Sequence, residues 1–212
     1  LGGVDGQPLA SRIFGLYTAF VYLTPILGGL IADRWLGKRR TILLGGAIMA
    51  LGHFLMVFPP LFLLALLCLV LGCGLFKGNI ASQVGALYRP DDLRRADAFQ
   101  IFYLGINAGV IASPLIVGTL GERLGWHWGF GAAGVGMLVG LGVYVAGGRF
   151  LPAESRPARV GRAARPPLGP GNRLAMAVLL LLIPTLAVAI VPNNQIFNAY
   201  LVWAERSADL RL

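Results

Sequence analysis

From Pro60 to Tyr88 the chain runs PLFLLALLCLVLGCGLFKGNIASQVGALY, with one charged residue, Lys77. A run of about 20 apolar residues is long enough to cross a bilayer as a helix. A cation near the centre of such a span costs a few kcal/mol or more, depending on the reference scale. Chains keep one where it faces a cavity, a partner or a substrate, so Lys77 is a candidate functional residue. Tyr88 lies eleven residues further on, about 16 Å along a helix. That is close to half of a hydrocarbon core of about 30 Å. Lys77 therefore belongs near the midplane, where transporters hold their substrates. A lysine stem of about 6 Å is too short to reach the interface from there.

The rest of the chain agrees with a membrane reading. It has 212 residues, 57% hydrophobic and 13% charged, against about 25% charged in soluble domains. Its 30 glycines lie among the apolar stretches, as is common in membrane helices. The fold class is all-α, a polytopic helical membrane protein. Six spans are predicted: Ile13–Ala32, Ile42–Phe58, Leu61–Leu87, Phe99–Thr119, Trp128–Gly147 and Leu174–Pro192. No Asp or Glu lies inside any of them, and His53 and Lys77 are their only basic side chains.

Loop charges give the orientation. Asp33–Arg40 holds four Lys/Arg, Tyr88–Ala98 three and Gly148–Arg173 six, and these alternate loops share one side. The opposite side holds four: Arg12, Arg123, Arg206 and Arg211. The cation-rich side is expected to be cytoplasmic. The formal charge of +9 thus serves topology rather than nucleic-acid binding, since no basic domain is separable from the spans. Gly148–Arg173, rich in Pro, Gly and Arg, reads as a flexible linker between two bundles. Residues 1–147 then form most of one bundle, and 174–212 open the next.

Cys68 and Cys73, five residues apart in one span, read as packing residues on different faces. His53 and His127 have no second ligand nearby in sequence, so no metal site is predicted. Without a Ser/His or Asp/Asp pair inside the spans, an enzyme is not expected either. Gly74, Gly78 and Ser82 recur every four residues, as do Gly136 and Gly140, a spacing that lets helix backbones approach closely. The opening stretch LGGVDGQPLASR reads as a loop already in progress, and the chain stops soon after its last span, so a fragment of a longer transporter is expected.

Three patterns carry a family resemblance. Gly28–Thr41 (GGLIADRWLGKRRT) resembles the cytoplasmic signature loop of the major facilitator superfamily. Gly72–Asn79 (GCGLFKGN) and Phe102–Gly109 (FYLGINAG) narrow this to the proton-dependent oligopeptide transporter family, over about Phe14 to Tyr144. The resemblance implies a partial major facilitator fold, with the six spans matching the family's second to seventh helices. It implies symport of di- and tripeptides with a proton as coupling ion and no other cofactor. A bacterial inner membrane is expected, and the excess of arginine over lysine suits a GC-rich bacterial genome. The partners implied are a small peptide and the lipid bilayer; oligomeric state is not readable.

The family's site residues map onto particular positions. Lys77 matches a lysine that engages the peptide carboxylate or a neighbouring acid. Asn107 matches an asparagine at the substrate cavity, and Tyr22, in VYLTP, a tyrosine near the substrate; each also suits an ordinary interhelical contact. Tyr103 and Asn193 are weaker contributors. Gly29, Asp33, Arg34 and Lys38 belong to the signature loop, where Asp33 would help hold a gate shut or form part of a topogenic cluster. The ExxER coupling motif, and with it the acid partner of Lys77, belongs to a first helix that does not appear here. At the family's seventh-helix Glu-Gln pair this chain offers Asn193-Asn194-Gln195, without an acid; Glu205 requires a shifted alignment. Three other readings stay open: another solute such as a drug, an inactive truncated product, and a packing or hydrogen-bonding role for His53.

Overall fold

A computed structural model describes residues 7–151, 170–195 and Trp203. Among the described residues every regular element is helical. Residues 12–151 form one compact unit; residues 7–11 and α7, Pro170–Gln195, group in a second.

Helix α1 (Gln7–Ile31), in the first unit from Arg12 onward, continues through a π-helical turn, Ala32–Leu36. It begins inside the stretch read as a loop. Pro8 sits in its first turn, where a missing N–H breaks no helical bond. Gly37 then reverses the chain at φ 79°, a conformation that favours glycine. Helix α2 (Lys38–Leu55) follows, and Pro59–Leu61 forms a 3₁₀ turn into α3 (Phe62–Ala86). Helix α4 (Arg94–Ser113) runs through a π turn at Pro114–Gly118 into α5 (Thr119–Leu124). Pro114 has no N–H for the helical ladder, and the wider turn accommodates it. Gly125 (φ 111°) makes the sharp turn into α6 (Trp126–Ala146), and a 3₁₀ turn, Gly147–Phe150, closes the unit.

Two loops are shorter than predicted. Helix α4 starts at Arg94 because Asp92 accepts its backbone N–H at 3.0 Å, satisfying one donor that a helix start leaves unpaired. The predicted turn Gly121–His127 contracts to Gly125.

Four helical runs are long and apolar enough to cross a membrane: Pro8–Leu36, Pro59–Ala86, Arg94–Leu124 and Trp126–Phe150. They answer to the predicted first, third, fourth and fifth spans. Helix α2 has 18 residues and opens on Lys38-Arg39-Arg40, which leaves a shorter apolar segment. Helix α7 has 26 residues, about 39 Å. Thr185 Oγ1 donates back to the Leu181 carbonyl at 3.2 Å, so its hydroxyl is satisfied within the helix.

Helix α3 packs between α1 and α2 through small residues. A Cβ on Gly28 would lie 2.0 Å from the Gly74 carbonyl oxygen, so these two backbones touch. Gly45 of α2 also lies against Gly72, a Cβ there standing 2.7 Å from the Gly72 carbonyl oxygen, and Gly52 rests on Ala65, Cys68 and Leu69. Gly78 faces Pro25. The predicted small-residue face of α3 is therefore a real contact, shared with α1. On α6 a different face is in contact. Gly136 and Gly140 meet nothing within 4 Å among the described residues, and α6 instead seats Gly134 on Phe54 and Leu141 on Gly46.

Candidate functional site

Tyr22 and Lys77 come together across α1 and α3, with Lys77 Nζ 4.5 Å from the centroid of the Tyr22 ring. Their depth is matched. Tyr22 stands eleven residues before Asp33, and Lys77 eleven before Tyr88, so each lies about 16 Å from its cation-rich helix end. Both side chains are exposed. Among the described residues no carboxylate forms an ion pair with Lys77.

Polar anchors on both sides fix this pair. Thr24 Oγ1 donates to the Phe20 carbonyl at 2.8 Å and reaches the Val70 carbonyl of α3 at 3.1 Å. Asn79 Nδ2 donates to the Leu75 carbonyl at 2.8 Å and the Gly28 carbonyl at 3.1 Å. Both side chains are buried. Hydroxyls and amides that bond across helices act as glue where water is absent. Neither Thr24 nor Asn79 was singled out as a site residue in the sequence. The signal was there, since a buried amide in an apolar span needs partners.

Asn107 stands apart from this pair in its bonding. Its Nδ2 donates to the Tyr103 carbonyl at 2.9 Å, a bond one turn back within α4. Its second N–H and its carbonyl oxygen remain on an exposed face. Tyr103 is 57% exposed and meets Phe102 edge-on. Asn193 falls in α7, but its side chain lies outside the described residues. Among the described residues His53 Nδ1 is buried without a hydrogen-bond partner.

The signature loop is built by local bonds. Gly37 N–H donates to the Ala32 carbonyl at 2.9 Å, closing the π turn. Thr41, fully buried, donates from its hydroxyl to the Gly37 carbonyl at 2.7 Å. Asp33 and Arg34 project outward, exposed. Gly29 has open space beside it. Lys38 Nζ instead donates to Ser82 Oγ at 2.7 Å and ties the start of α2 to the end of α3. Tyr144 of α6 donates to Gln83 Oε1 at 2.5 Å beside it. These partners are more than forty residues apart in sequence, which hid them from a local reading.

These contacts place the cation-rich ends together. Lys38 meets the last turns of α3, Arg39 packs on Gly148 after α6, and Arg95 of α4 lies against Gly85 of α3. The described cations Lys38, Arg39 and Arg95 therefore lie toward one end of the first unit, consistent with the charge count for the first two Lys/Arg-rich loops.

Comparisons with known proteins agree with this architecture. Residues 39–160 match the family model described as the POT family. A peptide transporter of Yersinia enterocolitica is 39% identical over 207 residues, which cover 91% of this chain and 40% of that protein. A di-/tripeptide transporter of Lactococcus lactis subsp. lactis is 40% identical over 184 residues, 84% of this chain and 36% of the relative. A crystal structure of a peptide transporter, POT, in complex with sulfate superposes with TM-score 0.66 at 37% identity, over 92% of this chain and 39% of that one. A POT mutant in complex with alafosfalin gives 0.66 at 33% identity, over 98% and 45%. The chain thus spans about two fifths of the relatives it matches. With its fold, its loop and its span sequences all agreeing, the chain belongs to the POT family, as a multi-pass membrane protein of major facilitator type.

Proposed function

We propose that the protein containing this chain imports di- and tripeptides with protons across a bacterial inner membrane. The observation that carries this reading is the Lys77 ammonium at mid-span, resting on an aromatic ring and unpaired by any described carboxylate. Such a cation is ready to take the carboxylate of a peptide. Asn107 offers the complementary chemistry, an amide that donates to a carbonyl and accepts from an ammonium. Tyr22 supports the same cation, and Tyr103 is a weaker contributor. Recognition of the two charged ends and the backbone leaves side chains free to vary. The relatives named as peptide transporters support the substrate class. Proton coupling rests on the family resemblance, with His53 and Lys77 as the basic groups this chain places inside its spans.

Asp33 and Arg34, exposed at the cytoplasmic end of α1, suit a gate that pairs with a neighbouring bundle. Residues 1–147 then belong to one bundle, 148–173 link it to the next, and 174–212 begin that second bundle.

The test is uptake by the complete reading frame reconstituted in liposomes. A proton gradient, acid outside, is expected to drive dipeptide accumulation, and dipeptides but not free amino acids are expected to compete. Lys77→Ala removes a charge-assisted hydrogen bond and is expected to lower uptake at least about tenfold. Uptake indifferent both to the gradient and to Lys77→Ala would overturn the proposal.

A further inference from the structure

Three helices meet in a closed ring at the cation-rich end of the first unit. Helix α2 contributes Lys38 and Arg39, α3 contributes Ser82 and Gln83, and α6 with its closing 3₁₀ turn contributes Tyr144 and Gly148. The two residues from each helix are adjacent or one turn apart, and one goes to each neighbouring helix. Lys38 Nζ donates to Ser82 Oγ at 2.7 Å and joins α2 to α3. Tyr144 donates to Gln83 Oε1 at 2.5 Å and joins α6 to α3. The Arg39 guanidinium covers Gly148 so closely that no Cβ would fit there, which joins α2 to α6. Gln83 and Gly148 are buried. Deeper in the unit the same three helices touch again, Gly45 on Gly72 and Leu141 on Gly46.

From this we infer that the six residues are one cooperative latch, which makes the cation-rich ends of α2, α3 and α6 a single rigid body. Contacts that share no partner lose stability additively when they are removed one by one. Edges of a closed ring do not, because each edge aligns the other two. Ser82 and Gln83 are neighbours on α3 but bond to different helices. The last turns of α3 therefore cannot shift against α2 without drawing Gln83 away from Tyr144, which leaves a buried acceptor unpaired. The signature loop enters this body at Lys38, directly after Gly37, so it acts from a fixed footing. The latch is independent of which solute the protein carries.

The test uses the complete reading frame, with no ligand. Ser82→Ala removes the α2–α3 edge and Tyr144→Phe the α3–α6 edge, and neither adds bulk. Each is expected to lower the melting temperature by about 2 °C, and the double variant by no more than the larger single shift. Spin labels at Arg40→Cys and Arg149→Cys report the third edge, since both positions are exposed and flank the Arg39–Gly148 contact. In a background without other cysteines, in nanodiscs, their distance distribution is expected to be narrow. It is expected to broaden in Ser82→Ala and in Tyr144→Phe alike, although neither residue belongs to that edge. Additive melting shifts overturn the latch, as does a single variant that melts like its parent. A distance distribution that either variant leaves unchanged overturns it too. That last measurement is made on folded protein, so it decides even where the melting of a variant falls too far to compare.

Discussion

Asp92 and Lys77 deal with a charge in contrasting ways. Asp92, in the loop before α4, accepts from Arg94 Nε at 3.1 Å and Nη2 at 2.8 Å, and from its backbone N–H. These side-chain bonds first, then the backbone bond, hold its carboxyl below the usual carboxylate range. A depressed folded-state value contributes stability above the ordinary range that is lost as pH falls through the depressed value. Arg94→Gln is expected to return the Asp92 titration toward about 3.9, read by carboxyl ¹³C shifts. An unchanged titration would show that Arg94 does not hold it. Lys77 has no such partner among the described residues, only a ring. Lys77 was legible in the sequence because a lone cation in an apolar run is costly to keep. Its contact with Tyr22 was not, because the two are 55 positions apart and meet only through the register of α1 on α3.

Helix pairing is governed by where a side chain cannot fit. The Gly28–Gly74 contact leaves no room for even a methyl group, since a Cβ would stand 2.0 Å from a carbonyl oxygen. Gly28→Val is therefore expected to force α1 from α3 and cost about 1–3 kcal/mol, the range for overpacking a tight interface. Thermal unfolding in detergent measures this, and an unchanged midpoint would show that the helices do not meet there. A recurrence of small residues every four positions identifies the packing face on α3, while on α6 another face makes the described contacts. Gly136 and Gly140 have the same spacing, yet the face of α6 in contact is that of Gly134 and Leu141. The spacing describes a smooth stripe; which stripe is used depends on the neighbour's shape, here Phe54 and Gly46. Element ends slipped for local reasons too. Asp92 started α4 five residues before the predicted span, and the π turn carried α1 on to Leu36.

Across the whole molecule, the alternation of cationic loops carried most of the topology. Lys38 on Ser82, Arg39 on Gly148 and Arg95 on Gly85 bring cations of Asp33–Arg40 and Tyr88–Ala98 toward one end of the first unit. Charge asymmetry is imposed at insertion and survives in the folded unit, so it could be counted before any helix was seen. Interhelical polar bonds such as Tyr144 to Gln83 could not, because they join residues 61 apart. The central claim is that Lys77 faces a water-filled, substrate-accessible space at mid-membrane. It is tested most directly by treating inside-out and right-side-out vesicles of the complete reading frame with a membrane-impermeant, water-soluble acylating reagent. Modification is then read by peptide mass spectrometry. Lys38, at the cytoplasmic end, serves as the internal reference. The expected result is acylation of Lys77 from at least one side, suppressed by saturating dipeptide while Lys38 labelling is unchanged. Labelling of Lys38 alone, from either side and with or without peptide, would contradict it.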